Sequence, residues 1–284
     1  MNKSRVIITG VLTMLFGAVL VGCGSDDTST TTTGRVTTTS TASTSTSVNA
    51  SATASVYFIR DEKVGPAGRP VTAGTPAQSA LTALLAGPSA EDAAAGLSTL
   101  IPSGTKLLGV SIANDIATVD LSKEFTSGGG SLSMQGRVAQ VVYTATQFPS
   151  AHSVNFRVDG APLTVLGGEG VMLDKPQTRA DWESFTPAIL VESPLPFAKV
   201  TSPLHVTGTA NTFEATFQIT LTDSAGTKVY DHFATATSGT GTRGTFDETV
   251  TFSGAKPGRG TLQVWEASAK DGQPVNVVKI PIDL

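Results

Sequence analysis

The chain predicts a small α+β domain followed by an all-β sandwich, both behind a disordered N-terminal tether. Three observations carry this expectation. Residues 56–180 mix helical and strand periods. From residue 188 to 284 no helical period survives, and apolar positions alternate with polar ones. Residues 25–55 are almost entirely Ser, Thr, Ala and Gly, with no aromatic residue and two valines. Such a stretch cannot bury enough apolar surface to offset the entropy of ordering.

Composition sets the outer bounds. Of 284 residues, 39% are hydrophobic and 15% charged, with a formal net charge of -4. That balance excludes wholesale disorder, which combines low hydrophobicity with high charge. A mildly acidic chain without basic runs is also a poor nucleic-acid partner, because such binding rests on cations that neutralise phosphates. One cysteine excludes an internal disulfide and a Cys-based metal site. No sequence motif calls for a cofactor or metal.

That cysteine closes an export signal over residues 1–22. Lys3 and Arg5 form a positive start, and residues 6–21 form an uncharged, mostly apolar stretch. The stretch is short for a membrane span, which needs about 20 apolar residues. Leu20-Val21-Gly22-Cys23 resembles the lipobox of bacterial lipoproteins. The resemblance implies cleavage between Gly22 and Cys23 and a diacylglyceryl group on the Cys23 thiol. Loss of Lys3 and Arg5 leaves 17 basic against 23 acidic side chains, a net charge of -6. The expected address is the extracytoplasmic face of the cell membrane. Residues 23–55 are then a tether with a span of roughly 30 Å.

In the α+β block, Val56-Tyr57-Phe58-Ile59 reads as a strand. Thr75-Pro76-Ala77-Gln78 reads as a capping box with Pro at the first helical position. Ala77, Ala80, Leu81, Leu84 and Leu85 then share one helix face, and Gly87-Pro88 ends it. Residues 106–112 and 116–121 form a hairpin across Asn114-Asp115. A second helix carries Val138, Val141, Val142 and Ala145, with Ser131 or Ser133 as its cap. Val154, Phe156 and Val158 alternate toward a turn at Asp159-Gly160. The expected order is β-α-β-β-α-β.

In the last block Phe213, Ala215, Phe217, Ile219 and Leu221 alternate with polar residues, and about seven strand-like runs are separated by turn signals. This is the pattern of an immunoglobulin-like sandwich.

Residues 80–88 (Ala-Leu-Thr-Ala-Leu-Leu-Ala-Gly-Pro), 101–106, 117–122 and 154–160 resemble the GerMN domain of sporulation and spore-germination proteins. Ser202-Pro203-Leu204, residues 206–210, residues 213–217 and Asp271-Gly272 resemble the immunoglobulin-like domain of bacterial spore germination. The resemblance implies a non-catalytic protein, since such domains occur in exported or anchored proteins as binding or scaffold modules.

Catalytic patterns occur beside it only in fragments. Gly239-Thr240-Gly241-Thr242-Arg243-Gly244 fits a dinucleotide fingerprint, but the residues after it alternate as a strand, not a helix. Ser103-Gly104-Thr105-Lys106 fits the S-x-x-K of cell-wall acyl enzymes, yet their further S-D-N and K-T-G motifs are missing. His152, His205 and His232 are scattered. Trp182, Phe185 and Trp265 read as core or seam residues before sugar-stacking ones. Asp181 and Glu183 read as solvated carboxylates between the domains. The expectation is a lipid-anchored, non-enzymatic module whose partner is an envelope protein or peptidoglycan. A cell-wall hydrolase or acyltransferase, with polar residues converging near Ser103, His152 and Asp159, is the alternative. So is a solute-binding lipoprotein, which needs two α/β lobes.

Overall fold

The computed structural model describes residues 52–168 and 170–284. The export signal, Gly22, Cys23 and the tether up to residue 51 lie outside the described residues.

The run Val56-Tyr57-Phe58-Ile59 is the buried middle of strand β1 (Ala52–Arg60), which pairs antiparallel with β2 (Lys63–Val71). The strand begins at Ala52, so the last four residues assigned to the tether belong to the sheet. Strand β2 was not expected, because it holds Gly65, Pro66, Gly68 and Pro70. The register explains their tolerance. Tyr57 N donates to Thr144 Oγ1 (3.1 Å) and Ser55 N to Gln147 Oε1 (2.7 Å), so these residues face away from β2. Their β2 partners, Pro66 and Gly68, therefore face away from β1, as does Pro70 opposite Thr53. At those positions a missing N–H removes no ladder bond.

Helix α1 (Pro76–Leu85) buries Ala77, Ala80, Leu81 and Leu84, the anticipated face. The capping box before it does not form. Thr75 has ψ 50 rather than an extended value, so its hydroxyl caps nothing. A box forms instead at α2 (Ala90–Ala94), where Ser89 and Asp92 bond reciprocally. Arg69 of β2 also binds Asp92.

Strands β3 (Leu107–Ala113) and β4 (Ile116–Leu121) join through Asn114-Asp115, both in the left-handed region. Helix α3 (Ser131–Ala145) crosses to β5 (Ser153–Val158), which lies parallel to β4. Its N-cap is Gly130, not a serine, and Ser133 accepts from Arg137 instead. Short strands β6 (Ala161–Pro162), β7 (Val165–Leu166) and β8 (Val171–Met172) follow. The sheet order is β3-β4-β5-β6, with β1-β2 as a separate hairpin. The first part is thus β-β-α-α-β-β-α-β rather than β-α-β-β-α-β, since the prolines and glycines of β2 mask a strand and α2, though opened by Ser89-x-x-Asp92, spans five residues, too few to show a helical period.

Every residue of α3 from Gly136 to Ala145 is buried. Val138, Val141 and Val142 belong to the core with Val119, Val154 and Phe156, while Gln140, Thr144 and the following Gln147 cap the open edge of β1. Arg137, 1% exposed, gives all five N–H groups to oxygens: Phe125 O, Ser127 O, Gly128 O, Ser133 O and Ser133 Oγ. Burial pulls its guanidinium below the ordinary value. Gly129, at φ +85, passes so close that a Cβ would lie 2.7 Å from Arg137 Nη2.

A 3-10 helix (Arg179–Phe185) sends Trp182 and Phe185 into this core, so the first unit extends beyond residue 180. It leads into β9 (Ile189–Ser193). Then come β10 (Leu204–Ala210), β11 (Thr216–Thr222), β12 (Lys228–Thr235), β13 (Gly244–Val250), β14 (Arg259–Ala267) and β15 (Pro274–Asp283). They form two sheets, β13-β10-β9 and β12-β11-β14-β15. Phe217, Ile219 and Leu221 face inward against Val206, Phe246 and Leu262, as the alternation required. Phe213 and Ala215 do not continue it. They lie in a 3-10 turn with Glu214 and Ala215 at positive φ, and Phe213 is 53% exposed. Strand β9 serves both cores: Leu190 packs into the first, Ile189 and Val191 into the second.

Candidate functional site

The densest group of chemically capable side chains lies where the two cores meet. The 3-10 helix presents Arg179, β1 presents Tyr57, α3 presents Tyr143, and β9 presents Glu192. The Arg179 guanidinium lies 5.3 Å from the Tyr57 ring centre and 4.7 Å from that of Tyr143. Its Nη1 donates to Glu192 Oε1 (2.7 Å), its Nε to Thr146 Oγ1 (3.0 Å) and its Nη2 to Tyr143 O (3.1 Å). The Tyr57 hydroxyl donates to the same Glu192 oxygen at 2.5 Å. A cation between two aromatic faces, closed by a carboxylate, is a mutually satisfied clamp. No local spacing announces it, because its members lie far apart in sequence.

A second tie comes from the glycine-rich segment. Residues 239–243 lie in the loop between β12 and β13, Gly244 opens β13, and no helix follows. Arg243 donates from Nε to both Glu183 oxygens (2.9 Å each) and from Nη2 to Pro187 O (2.8 Å). Glu183 is therefore paired while its side chain stays 44% exposed to solvent. Asp181 is paired as well: burial pushes its carboxyl up, but bonds from Lys175 and Thr178 outweigh this and hold it at about 2.

The other sequence candidates are not gathered. Ser103 and Gly104 sit in the turn before β3, Thr105 Oγ1 donates to Pro102 O, and Lys106 N is bonded to Ser122 Oγ. His152, His205 and His232 are exposed on separate elements, His205 beside Asp247 (3.2 Å) and His232 beside the Tyr230 ring. Asp159 lies in the turn after β5 at φ 48. Trp182 is buried in the first core, and Trp265 is half-buried with its Nε1 on Thr220 Oγ1 (3.3 Å). Among the described residues there is no group of three or more His, Cys, Asp or Glu able to hold a metal ion.

Two family models match in series: "Sporulation and spore germination" over residues 55–164, and "Immunoglobulin-like domain of bacterial spore germination" over residues 188–273. The chain carries these two spore-germination domains in series. The first GerMN domain of the sporulation protein GerM from Bacillus subtilis is 27% identical, over 46% of this chain and 99% of its own, with a TM-score of 0.41. The tandem GerMN domains of the same protein are 20% identical over 71% of this chain and 61% of theirs, with a TM-score of 0.41. A candidate lipoprotein from Clostridium perfringens is 30% identical over 48% of this chain and 93% of its own, with a TM-score of 0.36. No curated protein matches the chain.

In this tandem the clamp ties the GerMN domain to the first strand of the immunoglobulin-like domain, and burial marks its two tyrosines spectroscopically. Burial pushes the Tyr57 hydroxyl well above the ordinary tyrosine range and raises that of Tyr143. Because the folded values are raised, the stabilisation is complete below about pH 10 and is lost as pH climbs past the unfolded value. Absorbance at 295 nm between pH 10 and 11 should show fewer tyrosinates per native chain than in urea, where all three of the chain's tyrosines ionise freely. Simultaneous ionisation of all three near pH 10 in the native protein would contradict the burial of Tyr57 and Tyr143.

Proposed function

We propose that the protein is a lipid-anchored, extracytoplasmic scaffold that presents its two domains for non-catalytic binding in the cell envelope. The observation that carries this reading is the clamp. Arg179, Glu192, Tyr57 and Tyr143 satisfy one another at the seam, so their chemistry is spent on joining two domains. The sequence supports the anchor through Lys3, Arg5, the apolar residues 6–21 and the lipobox ending at Cys23. Each buried methylene of an acyl chain contributes about 0.8 kcal/mol, so two or three chains hold firmly where one does not. No helix among the described residues is long and apolar enough to cross a membrane.

The test is metabolic labelling with an alkyne fatty acid, followed by detergent phase partition and intact-mass measurement. Wild type should carry the label and enter the detergent phase. Cys23→Ser should lose the label and either be released or persist as the uncleaved precursor. A wild-type protein with a bare Cys23 thiol, equally soluble without detergent, would end the anchored reading.

A further inference from the structure

Strand β15 is the outermost of its sheet, and among the described residues backbone bonds cover one end of its outer edge. Phe197 N donates to Pro281 O (2.6 Å), Val200 N to Asp283 O (2.8 Å) and Asp283 N to Ala198 O (2.9 Å). Residues 281 and 283 thus turn their backbone groups away from β14. Alternation along the strand aims those of Lys279 and Val277 the same way, as far as the bulge at Asn276, whose φ is 50. Val277 is 41% exposed.

Across from this edge lies β2. Ile59 exchanges both backbone bonds with Ser98, so its partner Val64 also faces away from β1. Val64, Pro66, Leu190, Val191, Val278 and Ile280 help wall a cavity of about 290 Å³ between the two strands. Arg60, Lys63 and Lys279 also line it, against the single carboxylate of Asp61. No ion pair neutralises Arg60 or Lys279 among the described residues.

An unpaired edge, an apolar cavity beside it and a cationic rim are the three parts of a strand-addition site: the main chain supplies affinity, and the cavity and charges supply selectivity. We propose that this cleft receives an extended segment of a partner protein, which pairs with the β15 edge at Val277 and Lys279, buries an apolar side chain in the cavity and sets a carboxylate against Lys279 and Arg60. The assignment rests on the reading of the protein as a binding scaffold, and it specifies the kind of partner. The rim excess of cations selects an acidic segment over a basic one.

The test pans a random linear peptide library over the full-length protein in detergent micelles. Enriched peptides should combine an apolar residue with Asp or Glu. The best one, labelled for anisotropy, should bind Lys279→Glu about fivefold more weakly, the scale of one surface charge pair. Asp61→Asn should tighten it, a gain that misfolding cannot mimic. Bound peptide should slow hydrogen exchange at Val277 and Lys279. Failure to enrich any peptide, indifference to both charge changes, or protection elsewhere would overturn the site. Soluble peptidoglycan fragments protecting these same amides in place of peptide would overturn the partner class. Cross-linking of the anchored protein in intact cells separates the two levels. Partners captured through another face sink the cleft and leave the scaffold, whereas no partner at all sinks the scaffold reading.

Discussion

Replacing Arg137 with alanine is expected to cost the GerMN domain about 3 kcal/mol or more, the largest single-residue loss away from the apolar core. The side chain is 1% exposed and satisfies Phe125 O, Ser127 O and Gly128 O at once, with no carboxylate beside it. It acts as a post around which the 125–128 segment is wound, and truncation leaves three carbonyls without their donor. At roughly 2–4 °C per kcal/mol for a domain pair of this size, the first thermal transition should fall by about 6–12 °C. Arg137→Lys keeps the charge but supplies three donors on one nitrogen, so it should recover less than half of the loss. A wild-type melting profile for Arg137→Ala would show that the segment holds itself together.

Arg179→Ala should cost about 2 kcal/mol and, more tellingly, uncouple the two domains. The loss sums two cation–π contacts and a charged hydrogen bond, discounted because Arg179 and Glu192 are each about a quarter exposed. A double-mutant cycle with Glu192→Gln should give a coupling of about 1 kcal/mol. Calorimetry should resolve two transitions in the variant where the wild type shows closer cooperativity. Additive single losses and an unchanged profile would reduce the clamp to a decoration of the surface.

What the sequence revealed follows the range over which each feature is encoded. The α1 face, the alternation of Phe217, Ile219 and Leu221, and the turns at Asn114-Asp115 and Asp159-Gly160 are local patterns, each set by neighbours within one or two turns of chain. Strand β2 was hidden because its prolines lie on the side that faces away from β1, an arrangement that a one-dimensional pattern does not display. The turn at Asp61-Glu62 was hidden for another reason. Both residues adopt positive φ without glycine or asparagine to announce it. Phe213 and Ala215 had strand periodicity, but the backbone turns left-handed at Glu214 before the strand begins. The clamp and the Arg137 post unite residues separated by as many as 135 positions, or bind main-chain oxygens, which carry no residue identity. Arg243 was in view only as a letter within the glycine-rich motif, and its role became visible once its loop was placed against Glu183.

The double duty of β9 bears on how such proteins can be recombined. Leu190 completes one interior while Ile189 and Val191 complete the other. A splice just ahead of residue 188, where the second family match starts, would hand all three to one parent and leave the other interior short of a wall residue. Transplanting either half intact therefore means duplicating the stretch 179–193 in both products.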